Sequence, residues 1–130
     1  HGTELWKSDG TANGTVMVKD IYKGSTTRMD FCCFSEANPG GSVVYVTDPN
    51  DSNPSHLIAF DNALYFAAND GNNGIELWKS DGTANGTTMV QDIQFGYSSS
   101  PIFLTAVGNT LYFRAASDEG TRSVLWTFSL

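Results

Sequence analysis

Apolar residues fall in short runs broken by Gly, Asp, Asn and Ser, and no window repeats them at helical spacing for three turns. Four runs in the middle of the chain read as strands, at residues 56–60, 63–68, 75–80 and 87–93. Their joints carry turn chemistry. Asp61-Asn62 and Gly108-Asn109 stand where a tight hairpin wants residues that tolerate positive φ. Asp70-Gly71-Asn72-Asn73-Gly74 and Asp81-Gly82-Thr83-Ala84-Asn85-Gly86 supply the next two connections. The pattern predicts an all-β fold.

The same phrase is spelled twice. Residues 4–21, ELWKSDGTANGTVMVKDI, return at 76–93 as ELWKSDGTANGTTMVQDI, with sixteen of eighteen positions identical. A weaker echo places Pro54 against Pro101, Leu64-Tyr65-Phe66 against Leu111-Tyr112-Phe113, and Leu77-Trp78 against Leu125-Trp126. Four antiparallel strands in roughly 47 residues is the size of a β-propeller blade. A blade cannot bury both faces alone, so it must stack on neighbours.

The predicted organisation is therefore tandem four-stranded antiparallel blades, as an incomplete ring or open array. Residues 1–25 hold the last two strands of a first repeat and 26–53 an inserted hairpin and loop. Residues 54–100 form a complete repeat and 101–130 a partial terminal one. His1 aligns inside a repeat, against Asn73, so the expectation is a segment of a longer chain, completed by further repeats or copies of itself. The insertion reads as strands at 29–34 and 42–47 around Asn38-Pro39-Gly40-Gly41. It is the least repeat-like stretch, which makes Phe31, Cys32, Cys33, Phe34, Val44 and Tyr45 a candidate contact surface; the alternative is a solvated decoration.

Charge and length remove some functions. A net charge of −7 and a pI near 4.4 argue against nucleic acid, whose phosphates demand a basic face. No apolar run approaches the roughly 18 residues of a membrane span. The adjacent Cys32 and Cys33 have Cα atoms about 3.8 Å apart, closer than disulfides normally accept. One core thiol and one outward thiol, a strained vicinal disulfide, and an intermolecular bond all stay open.

Glu-Leu-Trp-Lys-Ser-Asp-Gly-Thr-Ala-Asn-Gly-Thr followed by Met-Val-x-Asp-Ile resembles the ELWxxDGTxxGT repeat family, also described as hyalin-like, of bacterial secreted and surface proteins. The Leu-Tyr-Phe-x-Ala-x-Asp-Gly segment before the second copy is similar to that family too, and the likeness covers nearly everything outside residues 26–50. The resemblance implies extracellular, propeller-like arrays with adhesive or structural roles and no catalytic residues. The inserted hairpin, the paired cysteines and the altered last unit depart from it.

Asp9, Thr11 and Asn13, and their twins Asp81, Thr83 and Asn85, place oxygens at alternate positions with Gly at the sixth, while Asp20 and Asp92 fall at the twelfth. Calcium loops wrap the ion this way. The competing reading is a hairpin turn whose Asp and Asn side chains cap the backbone. Asp48-Pro49-Asn50-Asp51-Ser52-Asn53 has the same ambiguity without the glycine. Trp6, Trp78 and Trp126 recur in phase, as inter-repeat packing residues do, with stacking on a sugar as the sharper alternative. Tyr65-Phe66 and Tyr112-Phe113 should each send one ring inward and one outward. Asn13, Asn50 and Asn85 head glycosylation sequons. His1 and His56 lack metal spacing, and no serine sits in an activating context, so no enzyme is expected. Two functions stand: a self-assembling structural or adhesive module forming filaments through open strand edges, and a calcium-stabilised glycan-binding propeller.

Overall fold

A computed structural model describes residues 1–32, 42–117 and 122–130, with side chains described outside 30–44 and 118–121. The expected turn at 38–41, with Cys33 and Phe34, lies outside the described residues. Phe31, Cys32 and Val44 are described as backbone only.

The described chain is all-β. Its strands are β1 (Leu5–Lys7), β2 (Val16–Lys19), β3 (Ser25–Cys32), β4 (Ser42–Pro49), β5 (Ser55–Phe60), β6 (Ala63–Asn69), β7 (Ile75–Ser80), β8 (Thr88–Gln91), β9 (Ile102–Val107), β10 (Thr110–Ala116) and β11 (Ser123–Ser129). They pair antiparallel into sheets ordered β1-β2, β3-β4, β5-β6-β7-β8 and β9-β10-β11, none of them closed. The inserted strands run longer than their sequence suggested, because polar pairs such as Thr27 and Thr47, with hydroxyls 2.9 Å apart, extend the ladder down to the neck.

The doubled sequence folds alike. Leu5, Trp6 and Lys7 pair with Lys19, Met17 and Val16; Leu77, Trp78 and Lys79 pair with Gln91, Met89 and Thr88, and both ladders shift register after the Leu. Strain is repeated too. His56 (φ 54°) and Phe103 (φ 57°) hold left-handed backbone at equivalent bulges of β5 and β9. The β5–β6 turn is made by Asp61 and Asn62, both at positive φ, as the hairpin chemistry predicts.

Two apolar clusters join the sheets. Leu5, Val18 and Ile21 meet Phe66, Ala68 and Trp78, with Met89 against them. Tyr65, Leu77 and Ile93 meet Leu111, Phe113 and Ala115, with Trp126 and Phe128 against them. The four-stranded sheet is thus covered on both faces, and this corrects one sequence expectation. Tyr65 and Phe66 point to opposite sides yet both are buried, because each side has its own neighbouring sheet.

Candidate functional site

The chemistry-bearing side chains gather where one unit hands over to the next. The central one is the Glu of Glu-Leu-Trp, which sequence reading passed over. Glu76, 0 % exposed, lies on β7. Its Oε2 accepts the Ser99 hydroxyl at 2.6 Å and the Ile93 N–H at 3.1 Å, and its Oε1 accepts the Ser99 N–H at 2.9 Å. One buried carboxylate so fastens β7 to Ile93 and Ser99, the two ends of the stretch that leads from β8 towards the next unit. Burial pushes the Glu76 carboxyl above its usual range, the hydrogen bonds from Ser99 and Ile93 oppose this, and the nearby Asp92 charge adds to it.

Glu4 repeats the arrangement across the insertion. Its Oε2 accepts the Ile21 N–H at 3.0 Å and the Ser52 hydroxyl at 2.6 Å. The Ser52 N–H goes instead to the Thr3 carbonyl, so Glu4 Oε1 is buried without a partner. The signal lies in the sequence: the same charged residue stands twice directly before Leu-Trp, each with a serine at equivalent distance once the insertion is removed.

The Asp-Gly-Thr turns are self-contained. Asp9 Oδ1 accepts both the N–H (2.9 Å) and the hydroxyl (2.7 Å) of Thr11, whose Oγ1 accepts the Gly14 N–H at 2.9 Å; Asp81, Thr83 and Gly86 repeat this with the same lengths. A Cβ at Gly14 or Gly86 would overlap that Asp carboxylate, which explains the glycine at the sixth position. The Thr hydroxyl first, then the Thr N–H, holds Asp9 and Asp81 below the usual carboxylate range. Of the twelfth-position acids, Asp20 Oδ2 lies 2.7 Å from His1 Nδ1, whereas Asp92, near the Glu76 carboxyl, buries its Oδ1 without a hydrogen-bond partner. Among the described residues no group of three or more His, Cys, Asp or Glu is placed to share a metal ion.

The three tryptophans do not share one environment. Trp78 is buried between the β1–β2 sheet and the four-stranded sheet, and Trp126 is partly buried against the four-stranded sheet. Trp6 is 56 % exposed against 6 % for Trp78, because its face of the β1–β2 sheet turns away from the four-stranded sheet, against which Leu5 packs. Lysines of the first unit clamp the second. Lys7 Nζ donates to the Gly82 carbonyl at 2.7 Å; Lys19 Nζ donates to the Thr87 carbonyl at 2.6 Å and lies 6.0 Å from the Trp78 ring centre.

The inserted hairpin is anchored at its neck, where the Asn50 N–H donates to the Gly24 carbonyl at 3.1 Å. Asn50 also donates from Nδ2 to the Lys23 carbonyl and accepts the Thr26 hydroxyl, so the amide a glycan would occupy is engaged. Asn13 and Asn85 are exposed. Met29 and Tyr45 face each other across the ladder and are both exposed. Comparison with protein-family models, curated proteins and solved structures finds no match to this chain.

Proposed function

We propose that this chain is a non-catalytic structural and adhesive module of an extracellular protein, built from tandem propeller-like blades that associate with further repeats or copies of itself. The observation that carries this reading is the contrast between Trp6 and Trp78: the same motif in the same local fold, one ring open and the other buried under a preceding sheet. Covering Trp6 as Trp78 is covered would remove about 100 Å² from water, worth ~2.5 kcal/mol per contact. The opposite end is open as well. Leu125 is 71 % exposed where its equivalent Leu77 is 1 % exposed, and β11 forms a sheet edge. Two unlike open ends favour head-to-tail contacts, which extend into filaments unless the rotation closes a ring.

Sedimentation and electron microscopy over a concentration series test the reading. Concentration-dependent association that Trp6→Ala weakens is the expected result; a monodisperse monomer without filaments at high concentration overturns it.

A second reading, glycan binding with calcium ordering the Asp-Gly-Thr turns, draws on Phe95 and Tyr97. Phe95 is 91 % exposed, Tyr97 is also exposed, and the two flank Gly96 at φ 76° in a turn-rich segment. Open aromatic faces suit sugar stacking. A glycan array with and without chelator checks it, and absence of any chelator-sensitive signal retires it.

A further inference from the structure

Three features meet along the outer side of β11. The first is an unmet edge. In the two earlier units the Trp strand pairs on that side with β2 or β8, setting Trp6 opposite Met17 and Trp78 opposite Met89. Among the described residues β11 pairs with β10 alone. The second is a void. Met89 packs against the cluster around Trp78, whereas beside Trp126 a gap of about 30 Å³ lies between Val90, Ile93, Phe113 and Phe128. The third is a cation. Lys7 donates to the loop carbonyl of Gly82, but its equivalent Lys79 has no hydrogen bond or ion pair among the described residues. Lys79 stands instead in an open cleft of about 360 Å³ with Phe128 and Leu130 on the far wall.

Edge, gap and lysine mark one path, and the chain itself shows what fits such a path. It is an Asp-Gly-Thr turn followed by a strand with Met opposite the Trp. We propose that the outer edge of β11 is a strand-addition site that captures, antiparallel, the segment of residues 10–21 from a second copy of this chain. That segment is the more releasable of the two candidates, because β2 belongs to a two-stranded sheet while β8 belongs to a four-stranded one. By the internal template Leu125, Trp126 and Thr127 pair with Lys19, Met17 and Val16 of the donor. The donor's Met17 fills the gap beside Trp126, and Lys79 donates to the donor's Gly10 carbonyl. Main-chain bonds hold the strand and the Met pocket selects it. The inference rests on the self-association reading and deepens it, since donation from the first unit of one copy to the last unit of another is head-to-tail.

The test adds a synthetic peptide of residues 10–21 to the intact chain and follows backbone amides by NMR. Expected are saturable shifts at residues 123–129, at Lys79 and at the gap-lining Val90, Ile93 and Phe113, with new exchange protection along residues 123–129. A peptide carrying Met17→Asp should bind at least about tenfold more weakly, because it puts a charge into an apolar gap. Lys79→Ala in the chain should weaken the native peptide about tenfold. The absence of saturable shifts, or equal shifts from both peptides, overturns the proposal.

A second arm joins the peptide to Leu130 through a flexible Gly-Ser linker, which raises its effective concentration to the millimolar range. The native tether should then melt higher than the Met17→Asp tether, and equal melting overturns the proposal. Trp6→Ala separates the two ideas, since it leaves β11 untouched. A chain that assembles through Trp6 but ignores the peptide defeats strand addition alone. Assembly that survives Trp6→Ala but is abolished by excess peptide defeats face-to-face stacking alone, and a chain that stays monomeric at high concentration defeats both.

Discussion

Ser99→Ala probes the carboxylate that ties β7 to the stretch leading into the next unit. The Ser99 hydroxyl gives Glu76 Oε2 a 2.6 Å hydrogen bond between two groups that are 1 % and 0 % exposed. Its removal leaves Oε2 with the Ile93 N–H at 3.1 Å and Oε1 with the Ser99 N–H at 2.9 Å, so the carboxylate keeps two donors of three. A hydrogen bond to a charged, buried acceptor contributes about 1.5–3 kcal/mol. A loss of about 2 kcal/mol corresponds, for a chain of this size, to a Tm lower by about 6–8 °C. Ser52→Ala supplies the internal comparison. It takes one of only two donors from Glu4, whose Oε1 has none, so its cost should be at least as large. Thermal and urea unfolding followed by circular dichroism read both. A Ser99→Ala chain within about 0.5 kcal/mol of the parent would refute the reasoning, since that is the scale of ordinary surface changes.

Other outcomes follow from the same geometry. Trp78→Ala should cost about 3–5 kcal/mol in urea unfolding. Trp6→Ala should stay within about 0.5 kcal/mol in the monomer and act on association alone. Gly86→Ala drives a Cβ into the Asp81 carboxylate and should destabilise by about 1–3 kcal/mol. At Gly96, where nothing lies within 4 Å and only the positive φ of 76° resists, the cost by chemical denaturation should be about 1 kcal/mol. Glu76, raised chiefly by burial, contributes stability fully below the unfolded Glu value of about 4.3 and loses it as pH rises through the higher folded value. Asp9 and Asp81, held low chiefly by Thr11 and Thr83, contribute above about 3.9 and lose it as pH falls through their lower folded values. Urea midpoints between pH 3 and 7 should therefore lose their decline with rising pH in Glu76→Gln and keep their acid limb there.

The parts of this fold legible in the sequence are those set by local chemistry. Asp61-Asn62 announces its turn because both residues tolerate the left-handed backbone they adopt. The doubled Glu-Leu-Trp string announces two ladders of one register, because identical turns fix identical pairings. What alternation could not tell was how many faces are covered. It sends Tyr65 and Phe66 to opposite sides, but only the neighbouring sheets decide that both sides are interior. The same limit hid Trp6, whose motif matches that of Trp78 and whose surroundings do not. Glu4 and Glu76 were hidden for another reason. Charged residues ordinarily face solvent, and the serines that justify the burial of these two lie 48 and 23 positions away.

Deletion of residues 25–49 tests whether the inserted hairpin is an addition to the repeat or a part of its core. Gly24 and Gly96 lie 72 positions apart and Ser52 and Ser99 only 47, so the first unit carries 25 residues that the second lacks. β3 and β4 with their connection occupy residues 25 through 49, and where Gly96 is bonded directly to Tyr97, Gly24 instead accepts a 3.1 Å hydrogen bond from Asn50. A Gly24–Asn50 peptide bond therefore asks the flanks to adopt a geometry the second unit already has. The Glu4 staple spans the neck from Ile21 to Ser52, and Asp51 accepts the Thr3 N–H just outside it, so neither contact needs the hairpin. Shortening the stretch between those anchors from about thirty residues to about five should add ~1.5 kcal/mol from loop closure. The deleted chain is expected to unfold cooperatively at the parent Tm or slightly above it, with amide signals of the other sheets unshifted. A chain that loses cooperative unfolding on this deletion would place the hairpin inside the folding unit, and the neck would then be a joint of the core rather than a point of attachment.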